Sequence, residues 1–238
     1  GRRGIDRGFS FRAPDRAYDE LEDARALSGA FGVSVDEVGI PEEDVPDLLA
    51  QLTWFYDEPL PRPHHLAAYA ISRQARAEGF RLLLSGEGGD ELFAGYARYD
   101  ELGQEMSRTH DTSPLVFAHN RVALPRIARF FHDRRFGNAY RFWCAERTHG
   151  LDLVNRQLLV DQWTFLQHFL QRSDRMGMAA GVEIRVPLLD LELVKYANGL
   201  PGAEKTSNGE TKKCLRAVAR QTFPGGLADK PKQGFDMP

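Results

Sequence analysis

The feature that most constrains the fold is a short, largely apolar run that ends in a glycine-rich acidic loop. Residues 80–85 read FRLLLS and residues 86–91 read GEGGDE. A run of this kind is typical of a strand that is buried on both faces of a parallel sheet. Because open α/β sheets bind ligands beyond the carboxyl ends of their strands, the sequence predicts a binding loop at 85–91. A helix is expected to begin near Glu91.

The sequence before this loop alternates between strand and helix patterns, which predicts a doubly wound α/β unit over residues 1–100. Strands are predicted at 8–11 and 33–38, and helices begin at Pro14, Pro41 and His64. After Tyr96 no strand pattern stands out, and residues 115–149 and 152–180 are predicted to be helical. We therefore expect residues 101–238 to form a mainly helical part with a basic C-terminal tail.

Composition excludes several functional classes. The chain has 238 residues, of which 42% are hydrophobic, so it is long enough for one α/β domain or two small ones. A net charge of −3 gives no overall basic field for nucleic acid, and no apolar run approaches membrane-spanning length. Cys144 and Cys214 lie far apart, which excludes a disulfide framework and fits a reducing cytoplasm.

The loop carries residue types that suit phosphate and a divalent cation. Its glycines let the backbone approach an anion closely, and the N–H groups of the next helix add donors. Asp90 beside phosphates is best explained as a ligand of Mg²⁺, which is bound through one or two carboxylates and phosphate oxygens. Glu87 then remains for proton transfer or for orienting a nucleophile. The alternative interpretation is a tight turn whose acids cap the helix.

Other candidate residues are interpreted as structural. Gly86 and Gly88 begin like a dinucleotide fingerprint, but Glu91 replaces its third glycine, so NAD binding is not indicated. His64 and His65 stand at a helix start, where a polar cap is favoured over a metal site. The aromatic segments at 54–56 and 163–165 are predicted to pack in the core.

A longer string around the loop, LSGEGGDELFAGY at 84–96, resembles the synthetase domain of glutamine-dependent asparagine synthases of the asparagine synthetase B type. Further blocks agree with that family in the same order and bracket nearly the whole chain. They lie at 18–20, 57–59, 173–179, 182–190, 211–212 and 231–235. The whole chain, 1–238, is therefore identified as an asparagine synthetase domain that is expected to be partial.

This resemblance implies a fold and a reaction. The fold is α/β, with a parallel sheet and flanking helices of the adenine nucleotide α-hydrolase or ATP pyrophosphatase type, and an additional helical part. The reaction is the ATP-dependent amidation of aspartate to asparagine through β-aspartyl-AMP, with Mg²⁺. Ammonia normally comes from glutamine hydrolysis in another domain. The partners implied are these small molecules, without nucleic acid or membrane, in the cytoplasm, and the family is also compatible with a homodimer.

The resemblance also implies roles for individual residues in binding ATP. Ser85, Gly86 and Gly88 match loop positions that contact ATP. The backbone near Phe11 follows the first predicted strand and would meet the adenine.

Three further residues match positions tied to the chemistry. Glu87 matches a glutamate involved in forming and aminolysing the adenylate, and Asp90 matches the Mg²⁺ ligand. Lys232 lies in the PKQGF block, where its ammonium would neutralise charge that develops on the phosphates.

Four charged residues in the later blocks have two interpretations. Asp174, Arg175, Glu183 and Arg185 form either a buried ion-pair network, which we favour, or part of the substrate pocket.

The chain also departs from the family pattern. The family's S-G-G-x-D-S pyrophosphate loop and its N-terminal glutaminase domain are not found, so we expect the chain to be a piece of a longer enzyme and incomplete for activity. Two alternatives stay open: a degenerate, non-catalytic binding subunit, and an adenylating enzyme with another acceptor, such as a β-lactam synthetase or peptide cyclase. Glu87 argues against the latter, because β-lactam-forming relatives have tyrosine there.

Overall fold

Two pairs of parallel strands carry the α/β part of the computed structural model, which describes residues 5, 7–13, 19–60, 62, 64–101, 143–144, 146–223 and 226–229. Strand β1 (Arg7–Phe11) pairs with β2 (Ser34–Val38), and β3 (Leu82–Leu84) pairs with β4 (Glu183–Arg185). Parallel strands among helices confirm the predicted α/β class. The assignment to the ATP pyrophosphatase type stays a prediction.

Helices make up most of the remaining regular structure. Those with bounds inside the described residues are α1 (Leu21–Gly29), α2 (Val45–Tyr56), α3 (His64–Ala77), α4 (Gly89–Phe93), α5 (Leu153–Ala179), α6 (Leu191–Gly199), α7 (Gly202–Lys205) and α8 (Lys213–Thr222). The predicted helix at 152–180 is confirmed as α5, whereas the one at 115–149 falls largely outside the described residues. Among the helices that the structure describes, none combines the length and apolarity needed to cross a bilayer.

The chain divides into two compact units. The first takes its residues from 1–85, 168–187 and 218–238, and the second from 86–167 and 188–217. All four strands belong to the first unit. The division predicted near residue 100 stays a prediction.

The core of the first unit lies between α2 and α3. Leu48, Leu52 and Tyr56 recur every four residues along α2 and are buried against side chains that include Met176. Trp54 is two residues from Leu52, which is about half a helical turn, and it is 81% exposed. The prediction of core packing is therefore correct for Tyr56 and wrong for Trp54 and for Phe55, which is 36% exposed.

Strand β3 differs from its prediction. Leu82 and Leu84 share one face and are 37% and 52% exposed, so the expectation of burial on both faces is wrong. Among the described strands, β3 pairs with β4 alone. Strand β4 overturns the expectation of no strand after Tyr96. Its sequence has one apolar residue between two charged ones, so it lacks the apolar run that marks β3.

Two histidine rings are packed together in the first unit. His65 is the second residue of α3 and is fully buried, and its Nδ1 lies 2.8 Å from the carbonyl oxygen of Arg62. Its ring centroid lies 4.5 Å from that of Tyr56 and 5.7 Å from that of His168. Burial lowers the pKa of both histidines, and the nearby charge of Arg172 adds to this effect. The contact with Arg62 holds the His65 ring against the segment before α3 from inside the core, and the polar cap stays a prediction.

This pair makes stability depend on pH. We expect the free energy of unfolding to be at its full value above about pH 6.5, the ordinary pKa of histidine. It should fall as the pH drops from there toward the lowered pKa of the folded state, because only the unfolded state takes up protons in that window. Urea unfolding midpoints on either side of the window measure the effect. His168→Gln should weaken the dependence, whereas the same change at the exposed His149 should not; equal effects would exclude the buried pair as the source.

Candidate functional site

The loop at 85–88 joins β3 to α4, and its backbone is fixed at both ends. The Ser85 N–H donates to the Arg185 carbonyl oxygen at 2.8 Å, which extends the pairing of β3 with β4. Gly88 has a φ of +86° and precedes α4, and the Leu92 N–H donates to its carbonyl oxygen at 2.9 Å. Glycine adopts this left-handed conformation at little cost. The helix predicted near Glu91 is confirmed and begins at Gly89.

The loop glycines differ in their surroundings. A Cβ at position 88 would overlap Cδ2 of Leu189, and one at position 89 would lie 3.0 Å from Cδ1 of Leu188. These two glycines therefore let leucine side chains close over the backbone. Gly86 has no atom within 4 Å of a Cβ built there and is exposed, so its backbone is accessible to a ligand.

Asp90, in the first turn of α4, makes an ion pair with Lys212. The Lys212 Nζ lies 2.9 Å from the Asp90 Oδ1, and the two side chains are 28% and 18% exposed. Gly95 lies against both, since a Cβ there would overlap Asp90 Oδ1 and Lys212 Cε. The sequence singled out segment 211–212 only through its family resemblance, because a contact between residues so far apart in the chain leaves no local pattern.

A buried polar network holds the other side of α4. The Tyr96 hydroxyl donates to the Glu91 carboxylate at 2.7 Å, and the Arg98 guanidinium stacks over the Tyr96 ring at 4.2 Å. Asp161 accepts hydrogen bonds from Arg98 at 2.9 Å and from the Tyr99 hydroxyl at 2.6 Å. Burial raises the pKa of both Glu91 and Asp161. Through Tyr96 and Arg98, these contacts join Glu91 of α4 to Asp161 of α5. They therefore fix the orientation of the helix that carries Asp90.

The remaining loop and strand candidates lie in different environments. Glu87 is half-buried in the turn before α4. Phe11 is buried at the end of β1, where it packs with Val38, Ala67 and Ala70. Lys232 lies outside the described residues.

Three of the four charged candidates form exposed ion pairs. Arg175 Nη1 lies 2.8 Å from Oδ2 of Asp57, and Arg185 Nε lies 2.8 Å from Oε1 of Glu183. Their side chains are 43% to 67% exposed, and Asp174 is exposed as well. The expected buried network is therefore wrong, because these charges stay on the water-facing sides of α5 and β4. Their role in a substrate pocket stays a prediction.

A Mg²⁺ ion at this loop would rest on Asp90. Within the described part of the chain, no group of three or more His, Cys, Asp or Glu side chains is placed to hold a metal ion. Mg²⁺ does not require such a group, since it commonly uses one or two carboxylates with water and phosphate oxygens. The Asp90 carboxylate already holds one cation, the Lys212 ammonium. This donor fits a divalent cation that also binds phosphate.

Comparison with known proteins identifies the family. The chain matches the family model for asparagine synthase over residues 6–238. The chain belongs to the asparagine synthase family. The resemblance carried by the 84–96 string and its companion blocks is thereby confirmed.

Relatives of this asparagine synthase family chain include bacterial synthetases and fungal amidases. It is 28% identical to asparagine synthetase [glutamine-hydrolyzing] 1 of Bacillus subtilis, over 97% of this chain and 42% of the relative. A putative asparagine synthetase of Mycobacterium tuberculosis is also 28% identical, over 93% and 39%. Amidase chry2 of Gibberella zeae is 27% identical, over 79% and 36%. The chain thus spans about two fifths of the length of these relatives.

The packing at Gly95 can be tested by substitution. We expect Gly95→Ala to destabilise the protein by about 1–3 kcal/mol, because the added methyl group overlaps Asp90 and Lys212. Gly86→Ala is the matched control, since that position is open, and its effect should stay within about 0.5 kcal/mol. Urea unfolding of both variants gives the comparison. Equal losses would show that Gly95 is not in close contact.

Proposed function

We propose that this chain is the synthetase part of an enzyme that carries out the ATP-dependent amidation of aspartate to asparagine through a β-aspartyl-AMP intermediate. The observation that supports it is the Asp90 carboxylate, held with a lysine ammonium beside a glycine-rich loop at the carboxyl end of β3. Membership of the asparagine synthase family adds the reaction class, and several relatives are named asparagine synthetases.

The proposed reaction has two steps. In the first, an oxygen of the aspartate side-chain carboxylate attacks the α-phosphorus of ATP, the bond to the bridging oxygen breaks, and pyrophosphate leaves. In the second, ammonia attacks the acyl carbon, AMP leaves with the electron pair of the broken C–O bond, and the nitrogen loses a proton. Negative charge shifts among the phosphate oxygens in both steps, so fixed positive charge beside them lowers the barrier.

We assign different parts of this reaction to different residues. Ser85, Gly86 and Gly88 present the loop to ATP, with the backbone near Phe11 beside the adenine. Mg²⁺, bound through Asp90 and phosphate oxygens, would supply positive charge at the phosphates. Lys232 would counter charge on the leaving pyrophosphate.

Glu87 is assigned to the nitrogen step. It lies two residues before α4, half-buried, in the same loop as the glycines assigned to ATP. A carboxylate there can orient the incoming ammonia and accept the proton that it loses on forming the amide.

Aspartate recognition and nitrogen supply complete the proposal. Asp174, Arg175, Glu183 and Arg185 offer charges of both signs, which suit the ammonium and carboxylate groups of an amino acid. Glu183 and Arg185 lie on β4, whose Arg185 carbonyl oxygen accepts a hydrogen bond from the Ser85 N–H. Glutamine hydrolysis in another domain would supply the ammonia. The location proposed for such an enzyme is the cytoplasm.

A second candidate keeps the adenylation and changes the acceptor. Its support is limited to two relatives that are named amidases, chry2 and the chyE of Penicillium rubens, of which chyE is 25% identical over 80% of this chain. A non-catalytic binding subunit is a third candidate function.

The loop carboxylates provide a direct test. In the full-length protein we expect Glu87→Gln to lower kcat for asparagine formation by about 10²-fold or more, because the proton acceptor is lost. Asp90→Asn should weaken Mg²⁺–ATP use, seen as a raised Mg²⁺ requirement for pyrophosphate release. Glu192→Gln is the matched control, since Glu192 is an exposed acid that pairs with Lys195 on α6. Activity lost equally in the control would point to general destabilisation.

The acceptor is tested separately by pyrophosphate release. With ATP, Mg²⁺ and a panel of carboxylic acids, aspartate should stimulate release most strongly, because a pocket with both charges selects an amino acid. Stronger stimulation by another acid would favour the second candidate. Nucleotide binding without pyrophosphate release for any acid would favour the non-catalytic subunit.

A further inference from the structure

Lys212 reaches Asp90 from a backbone conformation that lysine seldom adopts. Its φ is +53°, in the left-handed region, at the residue just before α8. Its carbonyl oxygen accepts the first hydrogen bond of that helix, from the Arg216 N–H at 2.8 Å. Non-glycine residues are uncommon in this region, and an observed outlier of this kind is a recognised indication of function.

The contact is also specific to this lysine. The next residue, Lys213, directs its Nζ to the carbonyl oxygen of Ala203 and to the Ser207 hydroxyl, each at 2.9 Å. Lys212 alone of the two meets Asp90, where Gly95 leaves room for both side chains. Both are mostly shielded from solvent, so their attraction is stronger than between exposed charges.

We infer that Lys212 is a positioning residue whose ammonium competes with a divalent cation for the Asp90 carboxylate, so that binding of the cation there depends on ATP. The inference rests on the proposed function, in which Asp90 is the cation ligand. A cation that takes the Asp90 Oδ1 must displace the ammonium, which then lacks its partner. When ATP binds, its phosphates provide a new partner for the ammonium. Cation and nucleotide therefore bind with positive coupling.

Mn²⁺ binding to the full-length protein tests this inference, with free Mn²⁺ followed by electron paramagnetic resonance. Without nucleotide, Lys212→Met should bind Mn²⁺ about tenfold more tightly than the wild type, because the competing charge is gone. A non-hydrolysable ATP analogue should tighten Mn²⁺ binding about tenfold in the wild type and much less in the variant. Lys213→Met removes the same charge one residue away and should behave as wild type.

A second variant guards against misfolding. Lys212→Gly removes the ammonium and suits the left-handed backbone, so it should reproduce the tighter Mn²⁺ binding with the fold retained. If both Lys212 variants bind Mn²⁺ no more tightly than Lys213→Met, the inference is overturned while Asp90 keeps its proposed role. If adding Asp90→Asn to Lys212→Met leaves Mn²⁺ binding unchanged, the cation lies elsewhere, and the Mg²⁺ role in the proposed function fails with it.

Discussion

Close approach of side chains to bare backbone is the constraint on which the candidate site depends. Leu189 closes over Gly88, Leu188 closes over Gly89, and the Asp90–Lys212 pair closes over Gly95. Each contact joins α4 to a segment that is distant in the chain. A methyl group at any of these positions would push a neighbour away, so these three buried glycines hold α4 in place, whereas Gly86 stays open to a ligand.

Buried polar groups join the helices of the second unit. Lys205 is fully buried, donates to the Asn155 Oδ1 at 2.7 Å, and has its pKa lowered by burial to about 8. Asn155 in turn donates to Asp152 and to the Leu200 carbonyl oxygen, each at 2.8 Å. Buried polar groups are costly unless they are bonded, so satisfied networks of this kind select one arrangement of the helices.

The sequence predicts the local features of this fold well and the distant contacts poorly. Periodicity and glycine placement locate α2, α3 and α5 and the loop before α4, because these signals lie within a few residues. Strand β4 is not detected, since Ile184 is its one apolar residue and the strand exists through its pairing with β3. The Lys212–Asp90 pair is not predicted either, because its two residues are far apart in the chain. The exposure of Leu82 and Leu84 could not be predicted, because burial depends on which elements cover a face and not on the apolar character of the residues.

The left-handed backbone at Lys212 has a consequence for how this protein can be improved. Glycine or asparagine would relax the backbone at that position, but either would also remove the ammonium from the largely buried Asp90 carboxylate. Backbone strain and the ion pair therefore act on stability in opposite directions at this residue. The amino acid that a library sorted on thermal stability selects at position 212 would show which of the two effects is larger.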